Sequence, residues 1–145
     1  MGSVRGCNIP EDLFYNVESN VWASRDADGI LTVGMTSYAC SLSGQIVSYT
    51  PRKIGKAVKK NKSCATVESG KWVGPVNAPV AGEVIAINEA LEKQPELINA
   101  DPYGDGWIVK MQALDWDSDS QDLVTGPEAL KIFDKKMDDD GFGGC

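Results

Sequence analysis

The 145-residue chain contains no histidine. That absence removes the commonest general base, the usual partner that activates a nucleophile, and the commonest zinc ligand. The four cysteines, Cys7, Cys40, Cys64 and Cys145, stand far apart with no C-x-x-C pair. A zinc ribbon and a thioredoxin-like motif are excluded, and reduced thiols in a cytoplasmic protein are the expectation. No apolar run approaches the length of a membrane span. The start Met1-Gly2-Ser3-Val4-Arg5-Gly6 also lacks the apolar core of a signal peptide and the hydroxyl residue of a myristoylation site. A membrane partner is therefore not expected. Basic residues are scarce, 14 against 21 acidic ones for a formal charge of -7. Nucleic acid, which needs clustered cations, is not an expected partner, whereas a basic docking surface on a partner protein is.

The length fits one domain, residues 1–145, with a core that needs neither disulfides nor a structural metal. Short strands and tight turns dominate the first half. Val21–Arg25 and Ile30–Met35 flank an Asp28-Gly29 hairpin signal, and Thr36 to Leu42 begins with capping hydroxyls and reads as a short helix. Gln45–Tyr49 alternates like a strand and stops at Pro51. Arg52 to Lys62 concentrates the positive charge, as a solvated loop or as a docking face for an acidic partner or modifying enzyme. Gly44-Gln45-Ile46-Val47-Ser48-Tyr49 is echoed by Gly82-Glu83-Val84-Ile85-Ala86-Ile87, which suggests a flattened β-barrel or sandwich of two similar halves. Glu89 to Gln94 reads as a helix ended by Pro95, and Trp107 to Met111 as a closing strand. Asp115 to Asp122 is acidic and exposed in this reading. Residues 126–139 form an amphipathic helix with Ala129, Ile132, Phe133 and Met137 on one face, and 140–145 form a flexible tail.

Lys71 carries the most information. It lies in Val67-Glu68-Ser69-Gly70-Lys71-Trp72, between strand-like Ser63–Val67 and Trp72–Val76, at what reads as a hairpin tip. Gly70 suits a turn with unusual backbone dihedrals. A lysine at such a tip presents its amine to a modifying enzyme, although an isolated turn lysine is ordinarily no more than solvated. Trp72 either packs on the sheet or offers a face to an attached apolar group. Asp101 and Asp105 form the one carboxylate pair that an enzyme reading could use, and turn formation explains both.

These segments together resemble the H protein of the glycine cleavage system and its relatives, which carry lipoate on a lysine. The resemblance runs from Ile9-Pro10-Glu11-Asp12-Leu13 through Gly34-Met35-Thr36-Ser37-Tyr38-Ala39 and Val67-Glu68-Ser69-Gly70-Lys71. It continues through Pro79 to Leu91 and Pro95 to Trp107. It implies a mainly β hammerhead fold of the lipoyl/biotinyl carrier kind with short helices and a C-terminal helix. It also implies a non-enzymatic carrier with lipoate on Lys71, in which Glu68 and Ser69 help a lipoate ligase or lipoyl transferase recognise the hairpin, Gly70 shapes the turn and Trp72 completes the cofactor-binding set.

Two departures bear on the pathway. Gly70 and Trp72-Val73-Gly74-Pro75 replace the usual residues around the lysine, and Ser19-Asn20-Val21-Trp22 lacks the histidine and glutamate usual before the early tryptophan. The altered tip is similar to the lipoate-binding proteins of heterodisulfide-reductase-like sulfur oxidation. That branch implies a heterodisulfide-reductase-like complex as partner and a sulfur intermediate or electrons as cargo. The alternative is aminomethyl transfer among glycine decarboxylase, aminomethyltransferase and dihydrolipoamide dehydrogenase. An unmodified protein-binding module is a further alternative.

Overall fold

The computed structural model describes residues 2–145. The chain opens with the short strands β1 (Ser3–Val4) and β2 (Cys7–Asn8), followed by β3 (Phe14–Asn16), β4 (Val21–Arg25) and β5 (Ile30–Met35). The β4–β5 turn is made by Asp26, whose carboxylate accepts from the amides of Asp28 and Ile30, both at 2.9 Å, while Gly29 takes a φ of 82°. Helix α1 (Ser37–Ser43) starts at Thr36, whose hydroxyl accepts from the Ala39 amide at 3.1 Å. Strands β6 (Ile46–Pro51), β7 (Ala57–Val58), β8 (Ser63–Ser69), β9 (Val73–Asn77) and β10 (Gly82–Ile87) follow. Short helices α2 (Ala90–Lys93) and α3 (Leu97–Ala100) lead to β11 (Val109–Ala113), α4 (Trp116–Asp119) and the long helix α5 (Gly126–Asp139).

Two antiparallel sheets face each other as an open sandwich. The larger has the order β3-β4-β5-β11-β10-β7 and the smaller β6-β8-β9. Alternating burial along the strands places Leu31, Val33, Val84, Val109 and Met111 of the larger sheet and Ile46, Val67 and Val76 of the smaller in one apolar core. A second cluster forms where α5 lays Ala129, Phe133 and Met137 on Tyr15, Trp22 and Tyr38. Ile132, on the same side of α5, remains 36% exposed.

The two Gly-initiated repeats lie in different sheets, β6 in the smaller and β10 in the larger. The Lys71 hairpin pairs with the first repeat, through β6–β8, and not with the second. The short strands β1 to β3 and β7 carried too little apolar periodicity to be seen in the sequence.

The C-terminal segment differs from the expected flexible tail. Residues 140–145 are held against the start of the chain by a Cys7–Cys145 disulfide, by the Cys145 amide donating to Arg5 O at 2.9 Å, and by Phe142 stacked edge-on against Tyr38. Arg5 reinforces this, donating to Asp134 at 3.0 Å, Asp138 at 3.4 Å and Phe142 O at 3.1 Å. Two of the four cysteines are thus not the reduced thiols expected. Their 138-residue separation is why sequence spacing gave no sign of the pair.

Candidate functional site

Strands β8 and β9 pair with Glu68 opposite Val73 and Val67 opposite Gly74, which leaves 69–72 to close the hairpin. Ser69 makes the turn: its amide donates to Trp72 O at 2.8 Å, and its hydroxyl accepts from the Lys71 amide at 3.3 Å. Ser69 is buried, whereas Glu68, Gly70, Lys71 and Trp72 are exposed. Gly70 does not play the part expected of it. Its φ is not positive, and no atom lies within 4 Å of where a β-carbon would sit. The turn obtains its geometry from the Ser69 hydroxyl instead.

The Lys71 side chain extends over the end of α1. A β-carbon on Gly44 would lie 3.1 Å from Lys71 Cε, so the glycine after α1 leaves room for the lysine stem. Gly44 needs its residue type on two counts, because its φ of 79° with ψ of -171° is a conformation reserved for glycine. Asn99 fixes this corner, donating to Gly44 O at 2.9 Å and accepting from the Ile46 amide at 2.8 Å.

Trp72 is 37% exposed and its indole lies across the Gly74 backbone. It thereby forms one wall of a cleft of about 260 Å³ between the hairpin and α1. Val21, Met35, Ala39, Leu42 and Val76 supply apolar walls, Ser19, Asn20 and Ser43 supply the polar ones, and no charged side chain lines it. Asn20 takes a left-handed φ of 59°, and its Oδ1 is buried without a hydrogen-bond partner. An exposed primary amine beside a cleft with apolar walls fits a covalently attached, apolar arm.

The remaining chemistry is sparse. Asp101 accepts from the Asp105 amide at 2.9 Å and so shapes a turn. Cys40 and Cys64 donate to the carbonyls of Ile98 and Val76, and burial pushes both thiols up to about 12. Both thiols are buried and hydrogen-bonded to carbonyls, which disfavours the thiolate form. Among the described residues no group of three or more histidine, cysteine or acidic side chains could hold a metal ion. No helix among them is long and apolar enough to cross a membrane.

Residues 13–136 match the family described as Glycine cleavage H-protein. The chain belongs to that family. It is 46% identical to glycine cleavage system H protein 5 of Aquifex aeolicus, over 97% of each chain. It is 49% identical to H protein 2 of the same organism, over 88% of this chain and 79% of that one. The crystal structure of a glycine cleavage system H protein from Mycobacterium marinum superposes with a TM-score of 0.75 at 31% identity, covering 86% of this chain and 98% of that one. H proteins of this family are non-enzymatic carriers that hold lipoate covalently on a lysine, and this chain is such a carrier.

The sequence pointed to Lys71, Glu68, Ser69, Gly70 and Trp72, and the structure brings all five to one hairpin tip. It missed the cleft residues Asn20, Leu42 and Ser43, and it missed Gly44. Gly44 had a legible signal, a glycine directly after a short capped helix.

Proposed function

We propose that Lys71 is the lysine that carries lipoate and that this H-family protein moves the group between partner enzymes. The observation that carries this reading is an exposed lysine at the tip of a hairpin whose turn is fixed by a buried serine. Once bound, the lipoyl group supplies a disulfide that opens to two thiols, able to accept electrons or a transferred group. Glu68 and the turn built by Ser69 present the amine to a lipoate ligase or lipoyl transferase. Gly44 lets the lysine stem pass, and Trp72 with Leu42 and Met35 gives the arm an apolar resting surface. Intact mass after expression with lipoate and a ligase shows one lipoyl increment, and Lys71→Arg removes it. An increment that persists in Lys71→Arg sinks the assignment.

For the cargo, the names of the relatives support an aminomethyl group passed among glycine decarboxylase, aminomethyltransferase and dihydrolipoamide dehydrogenase. A second reading, sulfur intermediates or electrons exchanged with a heterodisulfide-reductase-like complex, has two observations in its favour. The tip departs from the usual H-protein pattern at Gly70 and Trp72, and the cleft beside the arm offers no carboxylate to a protonated amine. Three numbered H proteins in one organism also leave room for carriers with different cargo. Incubating the lipoylated protein with glycine, glycine decarboxylase and pyridoxal phosphate separates the two: rapid aminomethylation supports glycine cleavage, and its absence supports the sulfur reading.

A further inference from the structure

Lys71 and the Cys7–Cys145 disulfide sit at opposite ends of helix α1. At one end the lysine stem lies over Gly44, and at the other Cys145 Sγ lies 4.0 Å from Ser37 O. A seven-residue helix is about 10 Å long at 1.5 Å per residue. From Lys71 Cε, the eight bonds to the first sulfur of a lipoyl group span roughly 10 Å at about 1.25 Å of advance per bond. The two lengths agree.

The path between them is a trough. A groove of about 340 Å³ is lined by Ser37, Cys40 and Ser41 of α1, by Cys7 and Cys145, and by Asn99. Asn99 is also the residue hydrogen-bonded to Gly44, so the groove's lining reaches the residue that fixes the corner over which the lysine stem lies. Within the disulfide the two sulfurs differ in access. Cys7 is fully buried, whereas Cys145, the last residue of the chain, is exposed.

We propose that the Cys7–Cys145 disulfide is an internal redox partner of the lipoyl group, reached along the α1 groove; this rests on Lys71 being the carrier lysine. A thiolate of the reduced arm attacks the exposed Cys145 sulfur. A disulfide between the arm and Cys145 forms, the Cys7–Cys145 bond breaks, and Cys7 leaves as a thiolate that takes a proton. The second arm thiolate then closes the dithiolane ring and releases Cys145 as a thiol. Two electrons and two protons pass from the arm dithiol to the cysteine pair, and the reverse sequence returns them. The disulfide can open without losing the chain end. Arg5 still grips Asp134, Asp138 and Phe142 O, and the Cys145 amide still bonds Arg5 O. Gly6 and Gly144 permit this close approach, because a β-carbon on either would press against the backbone of Cys145 or Arg5.

The test reduces the lipoylated protein with NADH and dihydrolipoamide dehydrogenase, quenches with acid, labels with N-ethylmaleimide and maps the peptides. With the label added under denaturing conditions after the quench, labelling of Cys7 and Cys145 is expected in the lipoylated protein and not in Lys71→Arg, while the free thiols Cys40 and Cys64 are labelled in both and serve as the internal standard. The rate is expected to be independent of protein concentration. It should be about a hundredfold faster than transfer from lipoylated Cys7→Ala/Cys145→Ala to unlipoylated Lys71→Arg at about 10 μM protein, because tethering gives effective concentrations of about 1 mM. Should that double variant not fold, a dilution series of the wild-type protein gives the same answer. An arm labelled at both sulfurs beside an intact Cys7–Cys145 disulfide overturns this proposal and leaves Lys71 as the carrier lysine. A rate proportional to protein concentration does the same. A missing lipoyl increment on Lys71 overturns both.

Discussion

The indole of Trp72 occupies the space in which a β-carbon of Gly74 would sit. The larger sheet repeats the arrangement, with Trp22 covering Gly34 across the β4–β5 pair. Each tryptophan lies flat because a glycine beneath it has no side chain. Gly74→Ala is therefore expected to lift Trp72, change the shape of the cleft and destabilise the protein by about 1–3 kcal/mol, the usual range for overpacking. Gly70→Ala, four residues away in open space, should stay within about 0.5 kcal/mol of the parent. Urea denaturation of both variants checks this, and equal stability of the two would remove Trp72 as a cleft wall.

Gly44 joins the helix to the modification site. Its backbone conformation costs a non-glycine residue about 1–3 kcal/mol, and its missing side chain clears the Lys71 stem. Gly44→Ala should therefore lower stability by that amount and slow ligase-dependent lipoylation of Lys71, whereas Ser41→Ala on the neighbouring turn should leave lipoylation unchanged. A time course of the lipoyl mass increment at fixed ligase decides it. A Gly44→Ala rate equal to the parent's would mean that the stem takes another course.

Much of this architecture was legible in the residues. The β4–β5 hairpin and α1 follow from Asp26, Gly29 and the Thr36 hydroxyl, all local signals that the structure uses as local hydrogen bonds. The Lys71 tip was legible too, but for a different reason from the one its glycine suggested. The turn depends on a serine hydroxyl, and a serine in that place is as common in ordinary loops. What the sequence could not show is long-range closure. Cys7 and Cys145 meet only because α5 returns the chain to β1 and β2, and the cleft exists only because residues 19 to 21, α1 and β9 converge.

Burial of protonated groups sets the alkaline limit of stability. Burial pushes Cys40, Cys64 and Tyr49 each up to about 12. In the unfolded chain a cysteine loses its proton near pH 8.5 and a tyrosine near pH 10, so with rising pH the unfolded state releases protons first. Their stabilising contribution is whole below about pH 8.5 and is lost progressively as pH rises through 12. The urea midpoint should thus be flat from pH 7 to about 8.5 and fall steeply above it. A midpoint still level at pH 10.5 would contradict the burial of these groups.

Asn88 ties the end of β10 to the start of β11. Its side-chain amide donates to Asp105 O and Trp107 O, both at 2.8 Å, and its backbone amide donates to the Tyr49 hydroxyl at 3.2 Å. Tyr49 in turn donates to Ile108 O at 2.5 Å, so one buried network spans both sheets. Asn88→Ala leaves two carbonyls without their donor and is expected to cost about 2–3 kcal/mol. That corresponds to a fall in melting temperature of roughly 6–12 °C for a chain of this size. Tyr49→Phe removes the bond to Ile108 and should cost about 1–2 kcal/mol. Because the two residues share the network, the double variant should lose less than the sum of the singles. Additive losses in thermal and urea unfolding would show that the two residues act independently, each holding its own strand.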